Sequence, residues 1–156
     1  MHRILIALAV AFPFAAQAQT KEPYSPGLGE IMTLQQMRHL KLWFAARAGN
    51  WPLAAYELDE LKEGFEDVVK YVPTKDGVPI GTMASAVIEK EVAALEKAIE
   101  TKDRKQFAAA FDKLTASCNA CHQASKHEFI VIRRPAANPY ANQSFAPAPG
   151  AAAHKH

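Results

Sequence analysis

Apolar positions along this chain recur with the period of a helix in four successive stretches. The first runs from about Leu28 to Arg47. At about 100° per residue, Leu28, Met32, Gln35, His39, Leu42, Trp43 and Ala46 fall on one side of it, and Met37, Leu40 and Phe44 on the other. A helix that is apolar on two sides faces a core and something else. A second copy of the chain, making a homodimer, is the simplest occupant of the second side.

Gly49-Asn50 ends this helix, and Asn50 with Pro52 just inside starts the next. There Ala54, Leu58, Leu61, Phe65, Val68, Val69 and Val72 make one apolar stripe, while Glu57, Asp59, Glu60, Glu63 and Glu66 read as a solvated face. Val72-Pro73 stops it, and residues 73–81 are a loop by composition. A third helix over about Thr82 to Glu100 repeats Ile88, Val92, Leu95 and Ile99. After the turn at Thr101-Lys102, Asp103 followed by Gln106 resembles a capping box. It opens a fourth helix on which Phe107, Phe111, Leu114, Cys118 and Cys121 form one stripe, bordered by His122. Short turns make consecutive helices antiparallel neighbours, so the pattern predicts an all-α, up-down-up-down four-helix bundle over residues 28–127.

Phe129-Ile130-Val131-Ile132 is the one run that ceases to look helical, and Arg133-Arg134-Pro135 closes it. It reads as an apolar arm folded over the bundle. The rest of the segment 128–156 is rich in Ala and Pro from residue 136, ends His-Lys-His, and is expected to be disordered. At the other end His2 and Arg3 precede an apolar run from Ile4 to Ala16 and an A-x-A site, Ala16-Gln17-Ala18. Residues 1–18 therefore read as an export signal cleaved after Ala18, too short to span a bilayer. Residues 19–27 follow as an extended arm holding two prolines and a glycine.

A chain of 156 residues has room for one such domain. Loss of the signal leaves 17 basic against 16 acidic residues, a balance that gives no case for a nucleic-acid partner. No other stretch predicts membrane insertion, and neither a phosphate-cradling glycine loop nor a paired acid and base suggests an enzyme.

The chemistry is concentrated in Cys118-Asn119-Ala120-Cys121-His122. C-x-x-C-H is the attachment sequence of haem c: two thiols become thioethers on the porphyrin and the adjacent imidazole ligates the iron. On a helix Cys118, Cys121 and His122 leave neighbouring points of one face. A redox C-x-x-C needs a βαβ context and a closed zinc site needs four ligands, while the chain holds two cysteines in all. Export and covalent haem point to one compartment, the bacterial periplasm.

A single haem motif near the end of the last helix of a four-helix bundle resembles the class II cytochromes c, the high-spin cytochromes c′ and their Met-ligated low-spin relatives. The likeness spans Leu28 to His127 and is carried best by Phe111 to Lys126, with Lys126 at a place, four after the haem His, that is often basic in that class. Met37-Arg38-His39-Leu40-Lys41-Leu42-Trp43 is similar to a segment of periplasmic monohaem proteins of proteobacteria. The chain after residue 127 departs from the class.

The sixth iron position decides between electron carrier and gas binder. In an antiparallel bundle the start of helix one lies beside the end of helix four, so Met32 is expected level with the iron and inward. His39 shares that face about 10 Å further along, Met37 points away, and Met83 opens helix three. Met32 ligation, an open site and His39 ligation stand as the alternatives. His39 is otherwise expected buried and neutral, bonded to Gln35 or a haem propionate, with Arg38, Lys41 and Lys126 as candidates to offset propionate charge. The expected function is periplasmic electron transfer, with iron held by His122 and Met32 and redox proteins as weakly docking partners. The alternative is nitric oxide or carbon monoxide binding at five-coordinate haem.

Overall fold

A computed structural model of the chain describes residues 23–149. The expected signal over residues 1–18, the first part of the 19–27 arm and the terminal histidines lie outside the described residues. Within them the protein is all-helical: α1 (Leu28–Ala48), α2 (Trp51–Tyr71), α3 (Ile80–Val87), a π-helical turn (Ile88–Val92), α4 (Ala93–Glu100) and α5 (Arg104–Ala124). The segments α3, π-turn and α4 run on without a break as the third helix. An isolated bridge between Lys75 and Val78, closed by Asp76 and Gly77 at positive φ, is the only extended pairing among the described residues. No helix among them is long and apolar enough to cross a membrane.

The helix ends follow from local chemistry. Asn50 Oδ1 accepts the Leu53 N–H at 3.3 Å, and Asp103 Oδ1 accepts those of Lys105 and Gln106 at 2.9 Å. Gln106 Nε2 returns a bond to Asp103 Oδ2 at 2.8 Å, closing the box reciprocally. At the other ends α1, α4 and α5 share one reversal, in which the N–H of a left-handed residue bonds to the carbonyl three residues back and that of its successor to the carbonyl five residues back. Gly49 takes the left-handed place after α1, whereas Lys102 and Lys126 take it after α4 and α5 at φ 54° and 60°.

Helix α1 packs along α2, α2 on α3, α4 on α5, and α1 meets α5. Phe111, Leu42, Leu61, Leu95 and Leu114 are each under 2% exposed, and each contributes about 1.5–3 kcal/mol by burial. Trp43 and Phe107 lie against Phe111, with ring centroids 4.9 and 5.9 Å away. Gly64 lets α1 and α2 approach closely. A Cβ there would lie 2.3 Å from Gln35 Oε1, whose amide Nε2 crosses to the Leu61 carbonyl at 2.7 Å.

Three helical expectations are corrected by the structure. Glu57 is buried, not solvated, because it faces α1 and meets Lys41 Nζ at 3.7 Å. Burial foremost pushes its carboxyl up, and Lys41 holds it back. The third helix begins at Ile80 and carries a π-turn, whose added residue lets Glu91 and Val92 both be buried. Helix α5 ends at Ala124, two residues beyond His122.

The segment after α5 also differs from its composition. Residues 129–149 have no regular secondary structure, yet they form a strap across α5 and α1. Arg134 pairs with Asp112 at 2.5 Å and lies over the Trp43 ring at 4.5 Å. Lys41 sits over Tyr140, Phe145 is buried against Phe44 with centroids 5.8 Å apart, and Asn50 Nδ2 donates to the Ala146 carbonyl. Disorder was the expectation for 136–156; over 136–149 a few anchoring side chains supply order that Ala and Pro do not. The strap lies on the second apolar side of α1, where Phe44 meets Phe145 and Leu40 lines a cleft with Ile132. The strap thus meets two residues, Leu40 and Phe44, of the stripe that points to a second copy.

Candidate haem-attachment site

The last two turns of α5 carry Cys118, Asn119, Cys121 and His122. Both cysteines are free and half-buried, and Cys121 packs against the core. Burial first, then the neighbouring Cys121 and the buried Glu91 of the π-turn, push the Cys118 thiol up to about 12. Burial also raises Cys121. A reactive redox C-x-x-C is the reverse case, a thiol lowered by a helix N-terminus or a cation. Here the pair lies at a helix C-terminus, whose partial negative charge disfavours thiolate.

His122 is half-buried, and its Nδ1 is 2.7 Å from the carbonyl oxygen of Ile130. An acceptor there requires the proton on Nδ1, and in the neutral ring this puts the lone pair on Nε2. The chain reverses in time to supply that carbonyl because the Lys126 turn ties His127 N–H to the His122 carbonyl at 2.7 Å. Asn119 then fixes the returning chain, donating from Nδ2 to the Ile132 carbonyl and accepting the Ile132 N–H on Oδ1, both at 2.8 Å.

His39 sets the register between α1 and α5. Its Nε2 is 2.9 Å from Thr115 Oγ1, and its ring lies 4.3 Å from that of Phe111. Thr115 gives its one hydroxyl proton to the Phe111 carbonyl at 2.9 Å, so it accepts from His39 Nε2–H. Trp43 lies beside Phe107 and Phe111, so α1 and α5 run antiparallel. Met32 is one heptad before His39, and His122 one heptad after Thr115. A heptad turns the helix by only about 20° from its starting face. By that spacing Met32 and His122 fall at about the same level along α1 and α5, and Met32 is half-buried against the core.

Other expected partners are engaged elsewhere. His39 is bonded to Thr115 rather than Gln35, and that bond occupies its Nε2. Arg38 pairs with Glu60 at 2.9 Å and Lys41 with Glu57, while Lys126 is exposed. Met83 is half-buried near the start of α3. Asn119, the Ile130 carbonyl and Glu91 were not legible as site groups: the first sits in a variable place of the motif, the second is backbone, and the third turns inward through the π-turn.

No family model, curated protein or solved structure matches the chain. The site is therefore interpreted from its own residues. Among the described residues no group of three or more His, Cys, Asp or Glu side chains is placed to hold a metal ion by itself. The donor set fits haem c instead: two unpaired thiols a turn apart, an imidazole with its lone pair on Nε2, and a thioether at about the same level on α1.

Proposed function

We propose that this chain is a class II-like, monohaem c-type cytochrome that transfers electrons in the periplasm. The observation that carries the reading is the state of the motif on α5, with two free thiols beside an imidazole whose Nδ1 is engaged and whose lone pair lies on Nε2. Haem-ligating histidines are held in this way by their other nitrogen. Cys118 and Cys121 are the attachment residues, His122 the proximal ligand and Met32 the distal one. The antiparallel register of α1 against α5, with α2 and the third helix completing the core, supports an up-down-up-down bundle around them.

A haem bound there supplies a one-electron ferric–ferrous couple tuned by its axial ligands and burial. The helices hold the two ligands at about one level and limit their movement between the two states. Phe129 and Val131, 76% and 71% exposed, lie just past the His122 reversal and give an apolar surface for weak docking by periplasmic redox proteins.

The experiment is maturation of the full chain in a host that attaches haem c, followed by mass measurement and acidic solvent extraction. The mature protein is expected to retain one haem after extraction, and Cys118→Ala with Cys121→Ala to lose it. An intact protein of unmodified mass from a host that matures other c-type cytochromes would reject the reading.

A further inference from the structure

We propose that the C-terminal strap is the positioning element for His122, with Asn119 as the residue that sets it; this rests on the haem reading above. Ile130 is fixed from both sides. Its N–H donates to the His127 carbonyl at 2.9 Å, and two residues on, the Ile132 backbone is held at both polar groups by the Asn119 carboxamide at 2.8 Å. Between those ties the Ile130 carbonyl has one orientation, and His122 Nδ1 meets it at 2.7 Å.

The attachment sequence therefore carries its own second support. One residue between the cysteines holds the strap, and the strap returns an acceptor to the ligating histidine. Beyond Ile132 the Arg134–Asp112 pair keeps the near part of the strap on α5, and the buried Phe145 anchors only its far end. Asn119 is tolerated in a helix, where it ranks below Ala, because both ends of its amide are used.

A carbonyl accepting from Nδ1–H increases electron donation by Nε2, which favours the more highly charged ferric iron. Asn119 thus acts through the strap to hold the reduction potential down and the imidazole plane fixed. It is a positioning residue, not a ligand.

The test uses the haem-loaded full chain, Asn119→Ala, a deletion of residues 129–156, and the two changes combined. Reduction potential is read by equilibrium titration, and the His122 Nδ1–H by its exchange rate in the ferrous state. Asn119→Ala and the deletion are expected to move the potential in the positive direction and to speed that exchange at least tenfold. The combined variant is expected to match the deletion alone, since Asn119 has nothing left to hold. Phe145→Ala, which frees only the far end, leaves the potential in place. An unchanged potential in both variants overturns the proposal, as does an Asn119→Ala shift that persists in the deleted chain. A wild-type chain without covalent haem would instead overturn the reading beneath it, before any variant is made.

Discussion

Acidification should destabilise this protein through His39 in a way that one substitution removes. The imidazole is 5% exposed, and burial alone lowers it to about 4 from the ordinary 6.5. The folded protein keeps it neutral down to that value, whereas the unfolded chain takes a proton near pH 6.5. Between the two the unfolded state binds more protons, so stability falls as pH falls; above pH 6.5 both states are neutral and the contribution is flat. The full span is worth about 3 kcal/mol at about 1.4 kcal/mol per pH unit, and by pH 4.5 about 2.5 kcal/mol has been lost. His39→Gln keeps a hydrogen-bonding group opposite Thr115 and cannot titrate. Urea unfolding of both proteins, followed by helical circular dichroism at pH 7.5 and 4.5, isolates the histidine, because carboxylates contribute equally to both. The wild type is expected to lose about 2.5 kcal/mol more than the variant, a midpoint displacement of about 1 M or more at ordinary slopes. Parallel losses would show that His39 takes a proton as easily in the fold as out of it, and would refute the buried neutral contact with Thr115 and Phe111.

Three further outcomes follow from the packing. Gly64→Ala pushes a methyl group into Gln35 and Arg38 and breaks the Gln35 bond to the Leu61 carbonyl; overpacking of about 1–3 kcal/mol outweighs a gain of about 1 kcal/mol in helix propensity, so thermal unfolding should show a net loss. Lys126→Gly relieves a left-handed side-chain residue at the end of α5, and urea unfolding should show a gain of about 0.5–1 kcal/mol. Phe145→Ala removes the buried anchor of the strap, a truncation of about 3 kcal/mol where it cannot be relaxed. Proteolysis between residues 133 and 149 should then accelerate at least tenfold while α1 to α5 keep their circular dichroism.

The helices were legible because their signals are local. Asn50 with Pro52, and Asp103 with Gln106, mark starts through atoms within one turn of each other. The stripes through Leu58, Leu61 and Phe65, and through Phe107, Phe111 and Leu114, are buried as their spacing implies. The inward, uncharged character of His39 was readable for the same reason. Its partner was not, since Thr115 comes close only when α1 and α5 are side by side. Glu57 has the same history, reading as one acid among several until Lys41 arrives from α1. The strap was hidden more deeply. Its order depends on Arg134, Tyr140 and Phe145 finding Asp112, Lys41 and Phe44, scattered partners in a sequence with no period. The Cys-x-x-Cys-His spacing was plain from five residues, whereas the hydrogen bond of His122 to a backbone carbonyl leaves no trace in residue type.

The central claim is that Cys118, Cys121 and His122 hold a haem whose sixth position belongs to Met32. The visible spectrum of the haem-matured protein, oxidised, reduced and then exposed to carbon monoxide, tests it most directly. The account predicts a sharp low-spin ferrous α band that the gas leaves unchanged, and its loss with new gas binding in Met32→Ala. A reduced protein that is high-spin and binds carbon monoxide at once would contradict the Met32 assignment and make this a gas-binding protein; a spectrum without covalent haem would contradict the whole account.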